Sequence, residues 1–404
     1  MASRGGPFRA LRHVRYLLLF LTSTSYQVSY WVMYTALQLV VAHLTDHDPV
    51  ALGILQFSLL VAYLLMSIPF GVLADRVDRR RLLRIAQTIG FTAFLSTGLL
   101  ASTGLLSLWP AVAVGFVTGV TSTLTSAATN SMMPRLVPRE DLTSAAPLQT
   151  ATGNLGRMLG PMLAGPLVWL VGTTGMLWAA LAILVASILF ATRLPASPPA
   201  GTVVRESLRR SMAAGIDHAQ HRPPALGLLL AVAVTSGVGG GFQAQQPVVA
   251  AHVAPHNADD VFLVMAAVAG AAALLAVALS AVQRRTPSLT GTALLMIGQG
   301  VSLVLMGLAP NAWTAIVAVA LSQALLIAVM TRAGSALQHI VDDIYRGRVM
   351  SLYFMGWGGL LPFGGLGLGL LISRTSVPVA LAVFGAVVIV VASLLFINGR
   401  RHEA

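Results

Sequence analysis

Gly71-Val72-Leu73-Ala74-Asp75-Arg76-Val77-Asp78-Arg79-Arg80-Arg81 is a short, heavily charged turn set between two long apolar runs. A chain that passes through it leaves a bilayer, turns and re-enters within about one helical turn of polar residues. Each residue type has a physical use in such a place. Glycine lets helices approach closely, an aspartate at a helix N-terminus faces the positive end of the helix dipole, and arginines hold a loop on the cytoplasmic side of a membrane.

Working outward, the 404 residues are 56% hydrophobic and only 9% charged. That leaves too little polar surface to cover a soluble domain, and a polytopic membrane protein is expected. The net charge of +12 sits in short loops between apolar runs, where orientation signals lie, so the basic balance does not argue for nucleic acid. All 25 basic residues are arginine, and cysteine is absent, which removes disulfides and thiolate chemistry. The basic residues before Tyr16 resemble the start of a signal peptide, but the apolar run to Val41 is too long for one and reads as a retained first span.

Apolar runs of about 20 residues, the length that crosses a hydrocarbon core, fall at 16–42, 51–73, 82–105, 109–133, 145–171, 175–192, 225–252, 260–282, 289–308, 312–339, 349–373 and 377–397. Arginine placement orients these twelve. Loops on one side carry Arg4, Arg9, Arg12 and Arg15, the arginines of 76–84, Arg135 and Arg139, those of 193–222, Arg284 and Arg285, those of 332–348, and Arg400 and Arg401; the opposite loops hold only Arg374. The bias predicts an even number of spans with both termini in the cytoplasm. The prolines and arginines of 193–224 form a polar divide, compatible either with an amphipathic helix on the membrane surface or with a solvated linker.

The two sides of that divide look like repeats. Met133-Pro134-Arg135-Leu136-Val137-Pro138-Arg139-Glu140-Asp141-Leu142 follows span 4, and Gln338-His339-Ile340-Val341-Asp342-Asp343-Ile344-Tyr345-Arg346-Gly347-Arg348 follows span 10. Each leads to a proline flanked by glycine, Gly160-Pro161 in one half and Pro362 with Gly364 in the other. Similar elements at similar places in two six-span halves suggest pseudo-symmetric bundles.

The opening motif, read as G-x-L-A-D-R-x-x-R-R-x-x-L through Leu83, resembles the loop between helices 2 and 3 of the major facilitator superfamily. Asp78 stands where that family often has glycine; with Arg79, the loop after span 4 and Arg346-Gly347-Arg348, it resembles the branch of siderophore exporters and macrolide efflux proteins. The resemblance implies an all-α polytopic membrane protein of twelve transmembrane helices in two pseudo-symmetric six-helix bundles, 1–192 and 225–404. It also implies a substrate site at the midplane between the bundles and a bacterial cytoplasmic membrane as location. Asp75 would contact the start of span 11 near Val349 and Met350, while Arg76, Arg79 and Arg80 engage Glu140 and Asp141. Gly71 belongs to the same motif. Its counterpart in the second half has decayed to Gln283-Arg284-Arg285-Thr286.

Span 5 carries Gly156-x-x-x-Gly160-Pro161-x-x-Ala164-Gly165, which resembles the glycine-proline pattern of superfamily exporters. Small residues there permit close packing and proline interrupts the backbone ladder. Arg157, inside this motif, is the one charged residue deep within an apolar run. Holding it there costs roughly 2.5–3.5 kcal/mol on insertion scales, so it should face protein or a wet cavity. It could bind an anionic substrate or order the bundle through backbone carbonyls. Asn154 precedes it at helical spacing. Further candidates for substrate binding are Gln27, Tyr30 and Tyr34 on span 1, which share a face with Gln38, then Gln243 and Gln246 on span 7 and Trp357 on span 11.

None of the 13 acidic residues lies in the interior of an apolar run, so no proton carrier is evident and proton antiport rests on the resemblance. His43, Asp46, His47 and Asp48 in the first outer loop, with His252, His256, Asp259 and Asp260 in its counterpart, could hold a divalent cation, which makes a metal exporter a lesser alternative. No nucleophile with a base, metal constellation or phosphate loop appears, so no enzyme activity and no cofactor are expected. The expected function is proton-coupled export of small amphipathic organic compounds, as in multidrug efflux, by a monomer working through alternating access. The alternatives are export of an anionic siderophore-like metabolite and a membrane receptor that no longer transports. Asp75→Asn is expected to leave the amount of protein in the membrane unchanged and to slow transport; wild-type flux in the variant would remove the conformational role.

Overall fold

A computed structural model describes residues 8–198, 216–282 and 288–403, with a few of these, Asp75 among them, described by backbone alone. The helices are α1 Val14–Leu44, α2 Pro49–Arg76, α3 Arg79–Ser102, α4 Leu108–Met132, α5 Leu142–Thr192, α6 Pro223–Gly237, α7 Gln246–Val253, α8 Ala258–Val282, α9 Leu289–Gly307, α10 Ala312–Ile340, α11 Asp343–Arg374 and α12 Val377–Glu403. Among the described residues ten stretches are long and apolar enough to cross a membrane. One of them, Arg139–Thr192, is two spans joined at Gly172, whose φ of 72° and ψ of 175° turn the chain where a side chain would be strained. α1 is the remaining span, kept out of the ten by its polar face. The fold is the twelve-helix one, and the junction falls inside the three-residue gap expected between spans 5 and 6.

Span 7 departs from the expected single helix over 225–252. α6 ends at Gly237, a tight turn occupies Gly241–Gln243, and α7 restarts at Gln246 with a proline in its first turn. Three successive glycines, 239–241, lower helix propensity there. The break also brings backbones together, because a Cβ on Gly241 would lie 2.6 Å from the Gly364 carbonyl oxygen of α11. Most of the expected linker, like Gln283-Arg284-Arg285-Thr286, lies outside the described residues.

The chain divides into two compact units: residues 1–40 with 61–203, and residues 41–60 with 204–404. The division cuts α1 and α2, so the connecting end of the first hairpin belongs to the second unit. Contacts within that unit account for this. Gly53 comes so close to Gly365 and Leu366 of α11 that a Cβ would lie 2.9 Å from the Leu366 Cα. The Gln245 amide donates to the carbonyls of Pro49 (3.0 Å) and Gly365 (3.1 Å), and His43 meets Asp259 at 2.8 Å.

In the first unit α1 and α5 run side by side in the same direction, joined at nearly every turn. The Tyr16 hydroxyl donates to the Ala145 carbonyl (2.8 Å), and the Gln149 amide donates to the Ser23 hydroxyl (3.1 Å). Beyond these the two glycines of span 5 take over. A Cβ on Gly156 would lie 2.5 Å from the Gln27 Cβ and 2.7 Å from its carbonyl carbon, and one on Gly160 would overlap the Trp31 Cβ and lie 3.0 Å from that residue's carbonyl carbon. The second half of α5 holds the other side of α1, with Ser29 donating to the Ala180 carbonyl (2.6 Å) and Ser187 to that of Thr22 (2.8 Å).

Trp109 and Trp313 are exposed at the starts of α4 and α10 and Trp169 beside the Gly172 junction of α5, the position amphipathic rings take at a membrane surface. Gly156→Val is expected to lower the thermal midpoint of the purified protein by the equivalent of about 1–3 kcal/mol, since backbone cannot yield as a side chain can. Gly153→Ala, whose Cβ would have the Gln27 amide nitrogen at 3.7 Å and nothing closer, is expected to be tolerated in the same melting experiment.

Candidate substrate site

The polar residues expected on span 1 gather around one that was not expected, Trp31. Its ring is met edge-on by Tyr30 (centroids 5.5 Å apart, planes at 83°) and by Tyr34 (5.7 Å, 82°), and the Arg157 guanidinium carbon lies 5.1 Å above its centroid. Tyr30 and Tyr34 are buried, whereas Gln27, Trp31, Asn154 and Arg157 are half-buried. The spacing Gln27, Trp31, Tyr34, Gln38 is that of one helical face, a signal available in the sequence. The arrangement is a cation seated on an indole face, braced by two phenols, on a helix pair whose separation is set by Gly156 and Gly160. Pro161 is buried and Gly165 half-buried farther along α5.

In the second unit Gln243 donates to the Gln323 side-chain oxygen of α10 at 3.2 Å, a partner not foreseen. Gln246 is buried at the head of α7, and the Trp357 carbonyl accepts from Ser236 of α6. No three His, Cys, Asp or Glu side chains converge as a metal cage among the described residues.

The charged turn is built differently from the expectation. Asp75 lies in the last turn of α2, one turn after Gly71, and its side chain is outside the described residues. Asp78 is the aspartate at a helix N-terminus: one carboxylate oxygen accepts from the Arg81 amide and the other from the Ser197 amide, both at 3.0 Å. Arg79, buried, donates to the Pro198 carbonyl (2.6 Å), and Arg80 donates to that of Thr192 (2.5 Å), while Arg76 is exposed. Arg80 thus holds a carbonyl that the end of α5 leaves without a helical partner, and Arg79 holds one in the segment that follows. Among the described residues, Glu140 and Asp141 form their ion pairs elsewhere.

Those acids belong to the N-terminal segment. Asp141 is 3% exposed and pairs with Arg9 (2.8 Å) and His13 (2.7 Å), while Glu140 lies 3.6 Å from Arg9. The second unit repeats the device. Asp342 pairs with Arg222 (2.8 Å), lies 3.8 Å from His218, and Arg222 also donates to the Ile340 carbonyl (2.9 Å). Asp141 opens α5 and Asp342 opens α11, each at the N-cap position with no side-chain bond to its own helix. In each half an arginine and a histidine four residues apart, ahead of the first span, reach the acid that opens the fifth.

The sequence model of the transmembrane secretion effectors matches residues 5–403. The chain belongs to that family. Its fold is the major facilitator one: over 96% of both chains it superposes on a POT family transporter solved in complex with 5-aminolevulinic acid, with a TM-score of 0.76 and 13% identity. A nucleoside transporter gives 0.74 and 14% over 94% of this chain and 98% of the other, and a bacterial homologue of the human lysosomal transporter Spinster gives 0.72 and 15% over 98% of both. Among curated proteins the staphyloferrin A transporter of Staphylococcus aureus (strain NCTC 8325 / PS 47) is 30% identical over 125 residues, 30% of this chain and 31% of that relative's length.

For this secretion-effector chain the two braces differ in burial, with Asp141 at 3% exposure and Asp342 at 52%. Removing a carboxylate strands its cations more severely where water is excluded. Asp141→Ala is therefore expected to lower the thermal midpoint more than Asp342→Ala, and to speed protease cleavage within the first 13 residues; equal shifts would show that the buried pair carries no extra weight.

Proposed function

We propose that this protein is a secondary transporter exporting a small anionic, siderophore-like organic metabolite by alternating access, from a bacterial cytoplasmic membrane with both termini inside. The observation that carries this reading is Arg157. It is a permanent cation within a membrane span, seated on an aromatic face beside Gln27 and the phenols of Tyr30 and Tyr34. A guanidinium suits carboxylates because its fork of N–H groups matches their two oxygens. The similarity to the staphyloferrin A transporter supports the same choice of cargo.

The aromatic cluster favours a second reading, export of amphipathic drugs held by stacking and a few hydrogen bonds. Under either, proton coupling is a working assumption drawn from the wider superfamily, because no carboxylate lies in the interior of an apolar run. Efflux from proteoliposomes separates the readings, with staphyloferrin A, citrate and a lipophilic cationic dye as cargoes, each with and without an imposed pH gradient. Arg157→Ala is expected to cut flux of the two anions at least tenfold, roughly the value of a charge-assisted pair, and to spare the dye. Anion flux that survives the substitution would remove the siderophore reading, and dye flux alone in the wild type would establish the second.

A further inference from the structure

We propose that Trp31 is the positioning residue of the Arg157 site, fixing how the guanidinium is presented and thereby how tightly the carboxylate cargo is held. The inference rests on the anion-export reading and adds to it a residue that acts through Arg157.

The geometry carries it in three steps. First, the backbone of Trp31 is pinned: Gly160 of α5 lies against its Cβ, Cα and carbonyl carbon, so the side chain leaves α1 from a fixed point. Second, the ring is pinned, because Tyr30 and Tyr34 pack against it with their planes at 83° and 82° to its own. Third, the ring carries the Arg157 guanidinium carbon at 5.1 Å from its centroid, and Arg157 grows from α5 between Gly156 and Gly160, the two residues that bring α1 near. An arginine side chain loses much rotamer freedom when it is ordered. A guanidinium seated over a rigid indole has part of that cost met before cargo arrives, and the N–H groups of an arginine match the two oxygens of a carboxylate. The glycine motif, the aromatic cluster and the half-buried cation are then parts of one device.

Substitutions can remove the ring without disturbing the helix pair. Trp31→Leu retains the Cα and Cβ that Gly160 touches, and Trp31→Phe retains an aromatic face that attracts a cation less strongly than indole does. In proteoliposomes, with citrate as the probe and its neutral trimethyl ester as control, Trp31→Leu is expected to raise the apparent KM for citrate roughly tenfold with Vmax retained, and Trp31→Phe to raise it by about threefold. The ester should be indifferent to both. Citrate should also change the tryptophan fluorescence of the full chain in detergent, and Trp31→Phe should abolish that change. An unchanged KM in Trp31→Leu, with Arg157→Ala still inactive, overturns the positioning role and leaves the anion reading standing. Citrate flux that survives Arg157→Ala overturns both. A fall in Vmax alone, accompanied by a lowered melting temperature in Trp31→Leu, assigns Trp31 to packing and overturns the proposal as well.

Discussion

The contact that the first unit depends on is the backbone approach of α1 to α5 at Gly156 and Gly160. Without a hydrophobic drive between helices in lipid, association has to come from close packing and polar bonds, and this pair uses both along its length. Tyr16 to Ala145 and Gln149 to Ser23 are hydrogen bonds near the start of both helices. Gln27 on Gly156 and Trp31 on Gly160 are van der Waals contacts with no room for a methyl group. Because the helices are parallel and their contacts advance together, the register is fixed at several points. Trp31 beneath Arg157 is a consequence of that register. A shift of one residue would rotate the indole about 100° away from the guanidinium.

Much of this was legible in the sequence because it depends on local pattern. Run lengths and arginine placement give the spans, and the gap expected at 172–174 contains the glycine that turns the chain. Gly156-x-x-x-Gly160 announces close packing without naming the partner helix. Trp31 escaped because single polar residues on α1 drew attention while the aromatic between them read as ordinary core, although it shares their face. The partners of Asp141 escaped for a different reason. An acid near several arginines can choose among them only in three dimensions, and Arg9 and His13 lie more than 120 residues away along the chain. Likewise Asp78 looked like a departure from a family pattern, whereas its two oxygens cap α3 and hold Ser197.

The repeated braces show how pseudo-symmetry can outlast sequence similarity. In the first half the cations run Arg9 then His13, and in the second His218 then Arg222, so alignment of the two segments would place unlike residues opposite each other. Both pairs are four residues apart and both acids open a helix. What the two copies share is charge at one place, since the positive end of the helix favours the carboxylate whichever cation meets it. The second copy adds a ring stack, His218 on Tyr345 with centroids 4.2 Å apart, where the first has deeper burial of its acid.

The site's energetics connect cargo to cycle. A cation kept in a span costs a few kcal/mol on insertion scales, and the indole face offsets part of that, about 2 kcal/mol when desolvated. On the anion reading, a bound carboxylate supplies a further offset, so the loaded protein is stabilised at the residue the empty protein holds at a cost. Cargo can drive a conformational change only through a difference in its affinity for the two states. Arg157 provides such a difference if its distance from water changes between them, because a charge pair strengthens as water withdraws. On that reading, placing this charge inside the glycine motif, where α1 and α5 are locked together, would keep the seat of the charge constant while its surroundings change.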